Sequence, residues 1–554
     1  MKRRDFLASA SALGAASALA PQVVFGRVAQ SGQFFALHPF LAAHPGAVFI
    51  MRTAATSIVD TPAKYAAGRA LGQQLFVLSD TGGMPLASTK IAMKPNLTCL
   101  GGDAVEDRLG VVTDPDFVEG FIDGMKSLGF QGSQMYLREG NHLRDAYCRN
   151  DPAQVWYSPI ATRTGVHFLD LDSGRMMNQT GLARANMVEG SEVIWRELPD
   201  GVVFRRIGYV APINAPDAFN VNLAKFKAHG MGMTLCAKNW QGTNINPYLH
   251  YCSTVSQQIN DGLPMADVNP NYRTDVQTLY QQHLEAGVPR WDRPGNIDNW
   301  NSGPGMETWC QKTLDNHAAS TPGLHIVEGI YGRDGNWMDG PHTPYGPYSR
   351  TSKDFLTNLV IFGLNAFKVE VIGYWLSGHE PGNVGLLHGA IDRGLTDRLN
   401  PRAIPVYLWE NGAPQLVSLD SLERTPLVTY YLQRNYAGQT ETKWHLLDEP
   451  FDYGPVSAVA DDLGTQPHIQ ALGQNYPNPF NPTTTIQFSL PRDSQVRVEI
   501  YNGSGQLVEV LVDAWRAAGV HALQWDARGR ASGTYYYRLL APGFQETRKM
   551  VLLR

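Results

Sequence analysis

Cysteine is scarce: five in 554 residues, at Cys99, Cys148, Cys236, Cys252 and Cys310, with no Cys-x-x-Cys pair. That spacing excludes a cysteine-ligated iron–sulfur motif and a zinc knuckle, and the odd count leaves one thiol over if disulfides form. Charge of either sign is thin as well, at 18% of residues with a net charge of −5 and no block of lysine or arginine. A nucleic-acid partner is therefore not expected. Long apolar runs are missing from the interior. The best candidate, 355–376, is interrupted by Asn358, Asn365, Lys368 and Glu370, so no transmembrane segment is expected in the mature chain. There is no Gly-x-x-x-x-Gly-Lys-Ser/Thr loop, no Gly-x-Ser-x-Gly turn and no His-Glu-x-x-His. Twelve tryptophans and 23 tyrosines are too scattered to outline a carbohydrate cleft, and Asp170-Leu171-Asp172 opens like a calcium loop without its later acids.

What is present begins at the carboxyl end. Gln474-Asn475-Tyr476-Pro477-Asn478-Pro479-Phe480-Asn481-Pro482 is too proline-rich for helix or central strand, so it reads as a stiff extended lead-in. Strand-period alternation follows at Ile486, Phe488 and Leu490, then at Val496, Val498 and Ile500. Turn residues punctuate the remainder at Asn502-Gly503-Ser504-Gly505, Ala518-Gly519, Arg528-Gly529 and Ser532-Gly533. Six or seven short strands in some eighty residues predict a small all-β, immunoglobulin-like sandwich over 474–554. Together with Trp525-Asp526, Ser532 to Arg538 and the ending Lys549 to Leu553, the segment resembles the type A C-terminal sorting domain of the type IX secretion system. The resemblance implies an address, with the type IX machinery as partner and the cell surface or extracellular space as destination.

The opposite end carries a second address. Lys2-Arg3-Arg4-Asp5-Phe6-Leu7 precedes a short, weakly apolar, Ala/Ser-rich run from Ala8 to Ala20. This resembles a twin-arginine export signal, with residues 1–29 as the signal peptide and the twin-arginine translocase as partner. Export via the periplasm is the expected route, and passengers of that translocase cross already folded, often with a cofactor inserted.

Between about 45 and 400 the pattern alternates strand and helix. Ile91-Ala92-Met93 leads into Lys94-Pro95-Asn96. Thr113-Asp114-Pro115 then starts a helix whose Phe117, Val118, Phe121, Ile122, Met125 and Leu128 recur at helical spacing. The strand 134–137 follows and ends in Glu139-Gly140-Asn141-His142. Such a βαβ rhythm predicts an α/β fold with a largely parallel sheet flanked by helices, and ligands beyond the carboxyl ends of its strands. Polar clusters stand at those ends: Lys94-Pro95-Asn96, Glu139 to His142, Lys225-Phe226-Lys227-Ala228-His229-Gly230 with Lys238-Asn239, Glu328-Gly329 leading to Gly332-Arg333-Asp334-Gly335, and Lys368-Val369-Glu370 before His379. Residues 401–450 read as a β-rich extension of this core and 451–473 as a linker.

These five clusters, in this order, resemble the domain-of-unknown-function 362 family, whose pattern implies a fold but no reaction. Glu328 and Glu370 stand where that family has aspartates, and many relatives carry an iron–sulfur module that this chain lacks.

The residues support several chemistries. Lys94, Asn96, Lys225, Lys238 and Asn239 are candidates for binding a small anion, and Lys227, His229, Glu328 and Glu370 for acid–base catalysis. The plain alternative makes Lys225 and Lys227 a solvated strand edge, and Glu370 a first-turn acid serving the helix dipole. Glu139, His142 and His379 are candidate ligands for a metal ion, at spacings that single out no metal. Three functions stay open: an enzyme acting on an anionic small molecule, a non-catalytic ligand- or metal-binding surface protein, and a redox protein akin to the iron–sulfur-bearing relatives. The cofactor is unknown.

Overall fold

The computed structural model describes residues 33–80, 83–97, 109–139, 157–170, 188–245, 247–248, 254–289, 294–299, 302–321, 323–335, 352–429, 450–453, 470–473, 475, 478, 480–542 and 544–553. The signal segment, His142, Tyr476 and three of the cysteines lie outside the described residues.

The chain opens with β1 (Phe34–Leu37), α1 (Pro39–Ala43) and β2 (Val48–Arg52), then α2 (Thr61–Gln74), β3 (Phe76–Ser79), β4 (Met84–Pro85) and β5 (Lys90–Pro95). Next come α3 (Pro115–Lys126), β6 (Met135–Glu139), α4 (Ser158–Thr164), β7 (His167–Asp170), β8 (Val193–Glu197) and β9 (Arg206–Val210). The long β10 (Ala218–His229) folds back through β11 (Gly232–Thr234) into α5 (Cys236–Trp240). Three helices follow, α6 (Val255–Asn260), α7 (Tyr272–Glu285) and α8 (Gly303–Ala319), and then β12 (Gly323–Arg333) and β13 (Asp354–Gly363). The central region closes with α9 (Ala366–Leu376), α10 (Gly385–Asp392), β14 (Val406–Glu410) and β15 (Ala413–Val417).

One large sheet organises these elements, in the order β15-β14-β2-β13-β12-β10-β5-β6-β7 with β11 paired to β10. It is mixed but mostly parallel: β12, β10, β5, β6 and β7 run together, whereas β13 is antiparallel to both β12 and β2. Side-chain alternation along each strand divides the core in two. Ile91 and Met93, Met135 and Leu137, Val221 and Leu223, and Leu324 and Ile326 pack on one face beneath α2 and α3. Ala224, Phe226, Ala228 and Val327 pack on the other, with residues of α8, α9 and α10.

Helix α3 forms where its sequence pattern predicts. The Asp114 side chain caps it by accepting from the backbone N–H groups of Asp116 and Phe117, and Pro115 needs no partner for a missing N–H. Its contact with α2 is backbone on backbone. A Cβ at Gly68 or Gly72 would collide with the carbonyl oxygens of Phe117 or Phe121, and one at Gly120 with that of Tyr65. The resulting close pair holds the amino end of α3 against the carboxyl ends of β5, β10 and β12.

The C-terminal region is all β, with β16 (Ala471–Leu472), β17 (Thr483–Leu490), β18 (Ser494–Asn502), β19 (Leu507–Arg516), β20 (Gly519–Asp526), β21 (Gly533–Ala541) and β22 (Phe544–Leu552). Two antiparallel sheets, β16-β17-β20 and β19-β18-β21-β22, enclose a core of Ile486, Phe488, Val496, Val498, Ile500, Trp525, Tyr537 and Leu539. They form the sandwich that the alternation in the sequence predicts. On its passenger-facing side, Ser489 Oγ donates to the Asp392 carbonyl at 3.1 Å, and Arg548 lies 3.5 Å from Asp200.

Candidate functional site

Strand β10 is buried along almost its whole length, so its lysines are no solvated edge. Lys225 and Lys227 continue the face of Val221 and Leu223 past the end of the apolar core, under the segment 109–114 that leads into α3. An ammonium brought there loses its water and needs compensation. Lys225 Nζ obtains it from Glu328 Oε2 at 2.7 Å on the neighbouring strand, and it also sits 3.5 Å from the centre of the Tyr331 ring. Glu328 is further held by the backbone N–H groups of Asp114 at 3.0 Å and Ile330 at 2.9 Å. Tyr331 and Lys64 both donate to Asp114 Oδ2 at 2.8 Å, so the helix cap is also a charge hub. Burial pushes Lys225 below the ordinary lysine range and Glu328 above that of a carboxyl, while their mutual contact opposes both shifts.

A second network closes the end of β5. Lys94 Nζ donates to Glu139 Oε2 at 2.8 Å and to Asn239 Oδ1 at 2.9 Å, and the Leu97 N–H donates to the same carboxylate. Asn239, on the short α5, also accepts from Asn96 Nδ2 at 2.9 Å and donates to Asn222 Oδ1 at 2.7 Å. Gly242 lies so close that a Cβ there would meet the Glu139 carboxylate and the Lys94 ammonium. Thr113 ties the two networks together, accepting from the Asn96 N–H at 2.8 Å and donating to the Leu223 carbonyl at 2.6 Å. Burial lowers the pKa of Lys94, against the raising influence of Glu139.

Lys227 stands between the two networks. Its ammonium donates to the Val111 carbonyl at 2.6 Å. In register, Lys227 faces Arg333 of β12 on one side and Thr234 of β11 on the other. Burial, followed by the charges of Lys238 and Arg333, drives its pKa well below the lysine range. Arg333 is fixed by a paired contact with Asp354, at 2.8 and 2.7 Å. Lys94, Lys225, Lys227, Lys238 and Arg333 thus share one buried electrostatic field with Glu139 at the carboxyl rim of the sheet. Such a field can stabilise a bound anion, or keep an amine neutral for proton transfer or attack.

Other candidates lie elsewhere. His229 Nδ1 accepts from the Met231 N–H at 3.1 Å, and its carbonyl takes the Thr429 hydroxyl. His379 Nε2 donates to the Leu427 carbonyl at 2.9 Å. Glu370 packs in the opposite core, where Oε2 accepts from the Ala237 N–H at 2.9 Å and burial pushes its pKa up to about 8. It touches the start of α5, the helix that carries Lys238 and Asn239. Among the described residues, no group of three or more His, Cys, Asp or Glu is placed to hold a metal ion. From the sequence, Thr113 and Asp114 read only as the start of a helix, and Tyr331, Thr234 and Asp354 are not singled out. Arg333 stands in the polar run after Glu328-Gly329 and is not among the residues the sequence singles out as candidates.

No curated protein matches the chain. Among solved structures, PorZ, an essential bacterial surface component of the type-IX secretion system of Porphyromonas gingivalis, is similar over 15% of this chain and 11% of that chain. The identity is 22% and the TM-score 0.12, an extent too small to bear on fold or activity. Residues 474–553 match the secretion system C-terminal sorting domain, which makes this a secreted or cell-surface protein linked to that secretion system. Residues 91–374, just over half of the chain and the part containing both networks apart from Lys64, match a family whose description names no activity: the chain belongs to the domain of unknown function (DUF362) family.

Proposed function

We propose that this exported protein is an enzyme acting on an anionic small molecule held at the carboxyl rim of the central sheet. Lys94, Lys225, Lys238, Asn96 and Asn239 would supply the binding field, and Lys227 the proton-transferring amine. In this reading Glu328 fixes Lys225, His229 stands at the end of the same strand as a further acid–base group, and Glu370 acts indirectly by holding the start of α5. The observation that carries the proposal is the concentration of Lys225, Lys227, Lys238 and Arg333 in one buried cluster. Burial first, and then repulsion from Lys238 and Arg333, lowers the proton affinity of Lys227, and an anion placed among these cations would relieve the repulsion.

The experiment is calorimetric titration of the purified protein with small carboxylates and phosphates, alongside K227M and K238M. Binding by the parent and its loss in both variants supports the anion site. Equal binding by all three proteins, or by none, removes it. Binding without turnover of any ligand in the panel would favour the non-catalytic surface protein instead. For the route of export we infer a twin-arginine signal over 1–29 and passage through the periplasm, on the strength of Lys2-Arg3-Arg4 and the short Ala/Ser-rich run behind it. We take 45–400 as the α/β domain, 401–450 as its β-rich extension, 451–473 as a linker and 474–554 as the sorting sandwich.

A further inference from the structure

We propose that the groove between the turn 380–383 and helix α10 is a recognition site for a Phe-x-Tyr segment. The chain fills it with its own Phe451-Asp452-Tyr453, and so clasps the start of the tether that leads to the sorting sandwich. This site is independent of the anion cluster.

Both aromatic side chains of the segment meet features made for them. The Phe451 ring lies where a Cβ on residue 382 would stand, so only the glycine found there leaves room for a ring laid against the backbone. The same ring meets the His388 imidazole of α10 edge-on, with centres 5.7 Å apart and planes at 69°. Tyr453 is 8% exposed and joins the core cluster that includes residues of α9 and α10. A phenol taken that far from water needs partners for its hydroxyl, and the turn supplies two. The Tyr453 oxygen accepts from the Gly382 N–H at 3.0 Å, and its O–H donates to Glu380 Oε2 at 3.0 Å. Burial pushes this phenol above the ordinary tyrosine range, which keeps the donated proton in place. Glu380 is itself flanked by Arg424 at 3.8 Å, and Arg424 lies over the Trp375 ring of α9 at 4.7 Å. Asp452, between the two aromatics, is exposed, so the groove reads the residues on either side of it.

The clasp has a consequence for the sorting sandwich. Phe451 rests on His388 of α10, and the sandwich returns to the end of that helix, where Ser489 Oγ donates to the Asp392 carbonyl at 3.1 Å. Gly473, at the far end of the tether, lies beside Gly394. Both ends of the tether are thus held at one helix of the central region.

The test uses the full-length protein and chymotrypsin, which cuts after accessible Phe and Tyr, with the fragment ends located by mass. The parent should be spared after Phe451 and Tyr453. In G382A, whose methyl group displaces the ring, cleavage at these two bonds should rise by about tenfold or more, the weight of a displaced ring. Equal cleavage there in both proteins overturns the proposal. Y453F, followed by hydrogen–deuterium exchange, covers the case in which G382A loosens the whole domain. Loss of the hydroxyl alone should speed exchange of the Gly382 amide by up to about tenfold, while the amides of α3 keep their protection. Unchanged exchange at Gly382 overturns the proposal. Faster exchange that extends to α3 also overturns it, because Tyr453 then serves the general core and no separate groove.

Discussion

Lys225 and Glu328, both fully buried and 2.7 Å apart, show how much the site asks of single residues. Removing one member of such a pair strands the other charge in a low-dielectric interior. E328Q is expected to cost about 3–5 kcal/mol in urea denaturation, and the double variant K225M/E328Q to recover part of that loss. Additive losses would show that the two residues are not coupled. Glu370 gives a second test. Its folded pKa of about 8 lies above the ordinary carboxyl value of 4.5, so the unfolded chain releases this proton first as pH rises. The stability tied to its protonated form is complete below pH 4.5 and is lost as pH rises to about 8. The parent should weaken by a few kcal/mol across that window relative to E370Q. Parallel pH profiles for the two proteins would contradict this. At this scale, Lys94, Lys225, Lys227 and Lys238 were legible because polar residues at strand ends stand out against apolar runs. Tyr331 was not, because its place beside the Lys225 ammonium comes from a strand pairing that no local pattern encodes. The double duty of Asp114, as cap and as partner of Lys64 and Tyr331, was hidden for the same reason.

Elements position these residues, and the α2–α3 contact does so with the least slack. Backbone carbonyls sit where a Cβ at Gly68 or Gly120 would go, so G68A or G120A must push the helices apart. Each is expected to lower stability by about 1–3 kcal/mol and to weaken anion binding, since α3 carries Asp114 at its start. The control is G503A, in a turn of the sorting domain where the nearest atom to an added Cβ is 3.3 Å away. A thermal melt in which G68A matches the parent would show that the pair is looser than described. Helix α3 was readable from its cap, its proline and its 3.6-residue period. Helix α8 was not, because it is buried on nearly every side and shows no polar stripe to give a period. The antiparallel β13 was hidden too: its position between β12 and β2 is a matter of topology, and its residues read equally well as part of an apolar helix.

For the whole molecule, two regions divide the work between destination and chemistry. The sorting sandwich accounts for location, so deleting 474–554 should retain the protein inside the cell. Fractionation that finds the truncated chain at the surface in undiminished amount would contradict that division. Destination was plain in the sequence because turn residues and strand alternation are local. Convergence of Lys94, Lys225, Lys227, Lys238 and Arg333 depends on the order of strands in a mixed sheet, and only the fold supplies it. The central claim is that this convergence binds an anion, and calorimetry in two buffers of different ionisation enthalpy tests it most directly. An anion entering the cluster raises the proton affinity of Lys227, so the account predicts binding coupled to proton uptake at neutral pH, with both lost in K227M. Binding with the same heat in both buffers, unchanged in K227M, would contradict it.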